Sequence, residues 1–347
     1  MIFYYKILVT KDKEGIFFFN NMEYCILFYF PLYFICMTLL ELCKYFDSFL
    51  HIDDFPSDPS DNGLQVQNRD PAGKQIKKVA FAVDACQESI DKAIAENADV
   101  LFVHHGLFWG HSVPVTKNHY NRLSSLIKND VALFACHIPL DASKIVGNNY
   151  GLAFRLGLEN LQDFGLWRGM DIGVKGEFKT PLSIEEICKK LFKNDEKPNI
   201  ILDFGNEKIK TVAIISGGAG DDLEQAIAEN VDLYITGELG HEQFHLAKEN
   251  EISVIAGGHY NTETVGVSLV MAKLMQELDP LEEQIKEELK LYMETNGKKS
   301  LSFEGLLASL KPSYVRTMFD SKLLKEKDID TYNKYTYEQS MSSSLSI

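Results

Sequence analysis

Two stretches of this chain repeat each other 133 residues apart. Residues 76–103, IKKVAFAVDACQESIDKAIAENADVLFV, align without a gap on residues 209–236, IKTVAIISGGAGDDLEQAIAENVDLYIT, with ten identities in 28 positions, Ala93 to Asn97 against Ala226 to Asn230 among them. Each copy leads to a similar chemical phrase: HIPLD, His137 to Asp141, follows the first, and HYNTE, His259 to Glu263, follows the second. Two related lobes that each close on a His-x-x-x-acid step suggest a metal site built between them.

The hydrophobic pattern sets the fold class. KKVAFAV reads as a buried strand, DACQESIDKAIAEN as a helix, and DVLFVHHG as a second buried strand ending at His104 and His105; a helix in HYNRLSSLIKND and a strand in VALFACH follow. The second copy runs through TVAIIS, DDLEQAIAEN, VDLYIT, GHEQFHLAKEN, ISVIAGGH and TETVGVSLVMAKLMQEL in the same alternation. Strands and helices at these lengths imply parallel βαβ units. The expected architecture is therefore α/β: two pseudo-symmetric lobes with mostly parallel sheets and the metal site in the cleft between them. The first lobe spans 37–157, a connecting segment 158–208 and the second lobe 209–280. Within the connection, SIEEICKKLFKN carries a capping box between Ser183 and Glu186.

The flanks differ in character. Residues 1–36 include CILFYFPLY, uncharged but interrupted by Pro31, which fits a spanning helix of about 20 residues poorly; stable membrane insertion is not expected. The leader is expected to be an extension with no part in the fold. Met37 opens MTLLELCKYFDSFL, where Leu40, Cys43, Phe46, Phe49 and Leu50 are expected to form one helical face. At the other end, 281–347 falls outside the lobes: LEEQIKEELKLYMETNG reads as a charged amphipathic helix, and YNKYTYEQSMSSSLSI is polar enough to be mobile.

Charge and cysteine usage narrow the partners. A formal charge of −15 over 347 residues leaves no basic surface for a phosphate backbone, so nucleic acid is not expected as the main partner. Six scattered cysteines without a CxxC read as free thiols in a reducing compartment, which places the chain in the cytoplasm.

In parallel α/β sheets, functional groups gather at the carboxyl ends of strands. His104, His105, His137 and His259 all fall there, with Asp141 and Glu263 four residues beyond a histidine. Imidazole and carboxylate without thiolate suit Zn²⁺, Mn²⁺ or Fe²⁺. So many ligands exceed what one catalytic zinc takes from protein, and two ions sharing a carboxylate at about 3.5–4 Å would use them. His137 could instead orient a ligand from behind, as could His241 and His245, four apart on one helix. Glu238, which occupies the repeat position of His105, is a candidate general base. Gly217, Gly218, Ala219 and Gly220 could form an anion-binding nest.

With SDNGLQVQ (60–67), FVHHGLFWG (102–110), HIPLDAS (137–143), GNNYGLA (147–153), SGGAGDD (216–222), TGELGHEQ (236–243) and GGHYNTETVG (257–266), the chain resembles the GTP cyclohydrolase 1 type 2 homologue family, the Nif3-like dinuclear-metal-centre proteins related to NGG-interacting factor. The resemblance covers roughly Met37 to Leu278. It implies two metal ions held by His104, His105, Asp141, His259 and Glu263, and a ring-shaped homohexamer. It also implies hydrolysis of a nucleotide-like small molecule, with GTP as candidate: water attacks the purine C8, the opened ring loses formate, and Glu238 or a cleft histidine moves protons. A two-metal phosphoesterase and a non-enzymatic metal-binding or regulatory scaffold are the alternatives. The leader and the stretch after Leu281 depart from the family pattern.

Overall fold

The computed structural model describes residues 37–192 and 197–276 in full, and beyond them the backbone of five strands between Ser300 and Ser346. The chain divides into two compact units, one ending at Met275 and the other beginning at Gln276. The leader 1–36 and the helix expected over 281–297 lie outside the described residues.

The first unit opens with helix α1 (Leu39–Leu50), capped by a reciprocal box in which Glu41 N–H donates to Thr38 and the Glu41 carboxylate accepts from Thr38. Its buried face is Leu39, Leu42, Phe46, Phe49 and Leu50, whereas Leu40 is 42% exposed. The expected stripe is therefore shifted: Leu39 and Leu42, in register with Phe46 at helical spacing, replace Leu40 and Cys43. Strand β1 (Gly63–Val66) follows, then β2 (Val79–Asp84), α2 (Gln87–Ala95), β3 (Val100–His105), α3 (Lys117–Lys128) and β4 (Ala132–Ala135). The sheet order is β1-β4-β3-β2, with β2, β3 and β4 parallel and β1 antiparallel at the edge.

Alternation along β3 sorts its side chains onto two faces. Leu101 and Val103 join Ile90, Leu123 and Leu126 of α2 and α3. Phe102 points the other way, where Phe46 of α1 lies 5.0 Å from it and 5.1 Å from Phe134 between ring centroids. Each such aromatic pair adds about 0.5–1.5 kcal/mol beyond its buried area.

After β4 come α4 (Ile138–Ala142), α5 (Asn148–Leu156), β5 (Glu159–Trp167), β6 (Met170–Leu182), α6 (Ile184–Leu191) and β7 (Ile200–Leu202). Next are β8 (Ile209–Ile214), α7 (Leu223–Ala228), β9 (Leu233–Thr236), α8 (Glu242–Glu249), β10 (Ser253–Ala256) and a last helix, α9, over 259–276. These strands form one six-stranded sheet, order β5-β6-β8-β9-β10-β7. The span 158–208, read from sequence as a connection, thus supplies three strands to this sheet, and α6 has the expected Ser183–Glu186 capping box. Only β8, β9 and β10 run parallel; β5, β6 and β7 are antiparallel additions, and a tight turn through Arg168 (φ 49) and Gly169 (φ 85) folds β6 straight back on β5.

The repeat survives into the register. Val79 pairs with Val100 and Val212 with Leu233, the same offset in both sheets. The shared phrase AIAEN-x-D has a physical cause. Asn97 and Asn230 take left-handed conformations (φ 59 and 52), which asparagine tolerates at a helix end. Two residues on, Asp99 accepts from the Lys77 and Lys78 amides at 2.7 and 3.1 Å, as Asp232 does from Lys210 and Thr211 at 2.9 and 2.8 Å. Each aspartate pins the start of one parallel strand to the next.

The second unit is described by its strands β11 (Ser300–Phe303), β12 (Leu306–Lys311), β13 (Tyr314–Phe319), β14 (Thr336–Met341) and β15 (Ser344–Ser346). They make a three-stranded β11-β12-β15 sheet and an antiparallel β13-β14 pair. The polar end expected to be mobile therefore carries two strands. Its polarity argues against a core, but Tyr and Thr suit pairing, and the partner strand lies too far upstream for local pattern to reveal.

Candidate metal centre

The imidazoles collect where the parallel strands end. His104 and His105 close β3, and the His104 ring, wholly buried, lies 4.5 Å from that of His105 and 5.2 Å from that of His137. From the second sheet, α9 brings in His259, 5.5 Å from His105, and one turn later Glu263, which is 3% exposed. Asp141, on the short helix α4, is also buried.

Glu263 occupies the middle of the cluster. Its Oε1 lies 3.5 Å from His104 Nε2 and 3.1 Å from His259 Nε2, and its Oε2 lies 3.4 Å from His105 Nε2. Asp141 Oδ2 is 3.5 Å from His104 Nε2, while its other oxygen accepts from Asn148 Nδ2 at 2.8 Å and Ser216 Oγ at 3.0 Å. Three overlapping groups result that could hold a metal ion: His104, His105 and His137; His105, His259 and Glu263; His104, Asp141 and Glu263.

Each histidine is oriented from behind. His104 Nδ1 pairs with the Cys136 carbonyl at 2.9 Å, His105 Nδ1 with Asp84 Oδ1 at 2.8 Å, His137 Nδ1 with Asp58 Oδ1 at 2.9 Å, and His259 Nδ1 with Glu238 Oε1 at 3.1 Å. An oxygen at Nδ1 fixes the tautomer with Nδ1 protonated and leaves Nε2 a lone pair, the form that ligates metals. In that form His104 Nε2 faces carboxylate oxygens, acceptor against acceptor. His104 Nε2 and Glu263 Oε2 are buried without a hydrogen-bond partner. Buried acceptors left in this way are costly unless a proton or cation sits among them, and nitrogen with carboxylate oxygen is the donor set of a first-row divalent ion. The residues fit such an ion.

Electrostatics agrees. Burial alone would depress the His104 pKa, but the Asp141 and Glu263 carboxylates outweigh it and raise the group to about 10. His259, hydrogen-bonded to Glu263 and close to Glu238, is raised to about 9 despite partial burial. For Glu263, burial opposes ionisation, yet the surrounding imidazoles hold its carboxyl far below the usual range. The cluster draws positive charge into a buried place.

Gly217 makes room for the carboxylate. It sits at φ +67, and a Cβ there would fall 2.3 Å from Glu263 Oε1 and 3.3 Å from His259 Nε2. Within the glycine-rich turn read as an anion-binding nest, Gly217 is thus the position where the approach of Glu263 leaves no room for a side chain. The helix α7 behind it is entered through a 3₁₀ turn over Gly220–Asp222.

The five sequence-derived ligands, His104, His105, Asp141, His259 and Glu263, converge, and His137 joins them from the rim. Glu238 stands at the opening, its side chain 61% exposed, in contact with His259. His241 and His245 do not join the cluster: both are exposed, His241 at the N-cap of α8 and His245 on it, with ring centroids 6.1 Å apart. Sequence reading missed Asp58 and Asp84. Asp84 carried a usable signal, since it ends β2 beside His105 and occupies the repeat position of Gly217. Asp58 carried none, lying in a loop whose partner is 79 residues away.

Residues 37–293 match the Duf34/NIF3 (NGG1p interacting factor 3) family. A Treponema pallidum protein named GTP cyclohydrolase 1 type 2 homolog is 45% identical, the match covering 70% of this chain and 95% of that protein. An Archaeoglobus fulgidus protein of the same name is 40% identical over 70% of this chain and 95% of its own length. A crystal structure from Thermus thermophilus superposes with a TM-score of 0.63 at 39% identity, covering 70% of this chain and 94% of the other. Among the described residues no helix is long and apolar enough to cross a membrane.

Proposed function

The chain belongs to the Duf34/NIF3 family, and from that premise we propose that it is a metal-dependent hydrolase acting on a nucleotide-like small molecule. In this reading His104, His105, Asp141, His259 and Glu263 would hold the divalent metal, two ions being the number that so many ligands suit. The observation that carries it is the Glu263 carboxylate, buried with one oxygen toward His104 and His259 and the other toward His105. A carboxylate that only closed a salt bridge would not need three imidazoles around it.

Bound there, divalent ions would act as Lewis acids, polarising an electrophilic centre and lowering the pKa of attacking water. The chain's own residues prepare that chemistry. Asp84 and Asp58 hold His105 and His137 with Nε2 free, and Asn148 and Ser216 occupy the Asp141 oxygen that faces away from His104. Glu238 holds His259 in the same sense, and its exposure at the opening suits it to accept a proton from substrate or water. GTP is the first substrate to try, because the curated relatives carry that name.

The test is metal content and turnover measured on the same preparations. Wild-type protein purified without added metal is expected to carry a first-row ion and, once loaded, to turn over GTP. Glu263→Ala is expected to lose both metal and turnover. Metal retained by Glu263→Ala would refute a metal site built around Glu263. A metal-loaded wild type that hydrolyses neither GTP nor a simple phosphoester would leave a non-enzymatic metal-binding scaffold as the function.

A further inference from the structure

The aromatic ring nearest the rim histidines has no part in holding them. Trp109 lies 5.0 Å from His137 at 72° and 6.0 Å from His105 at 39°, between ring centroids. His105 and His137 each keep 18% of the side chain exposed and His259 keeps 38%, whereas His104 behind them has none. Trp109, itself only half-buried, borders the opening on the side of His105 and His137.

Its loop is built to hold it still. Leu107 is buried, and its amide donates to Gln65 Oε1 at 2.7 Å. The Phe108 carbonyl accepts from the Asp61 amide at 3.1 Å, and the Trp109 indole N–H donates to the Gly106 carbonyl at 3.1 Å. Gly110, at φ +67, turns the chain tightly against Pro59. With its one donor consumed, the indole has only its π face left to offer. Half-exposed indole costs hydration, and a fixed ring beside a polar site suits stacking on a planar heteroaromatic partner.

We propose that Trp109 is the stacking platform for a planar ring of the substrate, placed against the indole beside His105 and His137. This rests on the hydrolase reading above and narrows it to a substrate with such a ring. Stacking supplies affinity without hydrogen-bond readout, so Trp109 selects for a ring and not for one particular purine.

The chain has two tryptophans, Trp109 and Trp167, so metal-loaded full-length Trp167→Phe protein reports on Trp109 fluorescence alone. GTP and guanosine are expected to quench it in a saturable way, and inorganic tripolyphosphate, which has no base, is not. Trp109→Ala is expected to weaken GTP binding about tenfold, Trp109→Phe to retain most of it, and both to keep wild-type metal content. GTP bound equally tightly by wild type and Trp109→Ala overturns the platform while leaving the hydrolase reading intact. Loss of metal from Trp109→Ala also overturns it, making the indole a wall of the metal centre. A metal-loaded wild type that binds neither GTP nor guanosine overturns the platform and the nucleotide substrate together.

Discussion

Gly217 shows how closely one residue can be tied to chemistry supplied by another. Its positive φ is a backbone demand, while the 2.3 Å between a built Cβ and Glu263 Oε1 is a demand of the site. Gly157, also at positive φ (+78), has nothing within 4 Å of the same construction, which separates the two effects. Gly157→Ala is expected to cost only backbone strain, about 1 kcal/mol, with metal content unchanged. Gly217→Ala should add displacement of Glu263 and so lose most of its metal. Elemental analysis beside a thermal melt checks this; full metal occupancy in Gly217→Ala would mean that the carboxylate can move aside. At this scale the residues that meet in the cluster were legible in sequence, because strand-end histidines with an acid four residues on are a local pattern. Asp58 and Gly217 were not legible, since their roles depend on groups brought to them by other elements.

Between elements, the repeat acts through the anchors at strand starts. Asp232 accepts from the Lys210 and Thr211 amides, the Thr211 hydroxyl at 3.0 Å and Asn206 Nδ2 at 2.8 Å. Burial would raise its pKa, but these hydrogen bonds win and lower it. Asp232→Ala leaves the β8 amides without that acceptor and is expected to cost about 1–3 kcal/mol. Urea unfolding with an unchanged m-value and a lower midpoint would show it, whereas an unchanged midpoint would mean that water replaces the carboxylate at no cost. The parallel strands and the helices between them were readable from hydrophobic runs. The membership of β5, β6 and β7 in the second sheet was not, because an edge strand is defined by its neighbour and β7 is only three residues long.

For the whole molecule, the cluster is expected to couple stability to pH with opposite signs without and with a bound ion. Without metal, His104 and His259 are raised from the ordinary 6.5 to about 10 and about 9. The stability they contribute is complete below about 6.5 and is lost as pH rises through about 9 to 10. Glu263 acts at the other end: its lowered pKa contributes stability above the ordinary 4.5 that is lost as pH falls through its folded value. An ion replaces the proton and needs deprotonated ligands, so its affinity rises over the same alkaline interval. The melting temperature of chelator-treated protein is thus expected to fall between about pH 7 and pH 10, while that of metal-loaded protein holds or rises. Parallel curves would show that these imidazoles do not bind the ion. By itself the sequence determined the duplicated α/β plan, the strand ends where chemistry could gather and the identities of the histidines and acids that cluster there, because periodicity and residue type are local. Only the tertiary structure decided which nitrogen of each histidine faces inward, that Glu263 rather than Asp141 lies at the centre, and that Trp109 borders the opening. Those facts arise from side chains meeting across two sheets, at separations where the order of residues along the chain carries no distance.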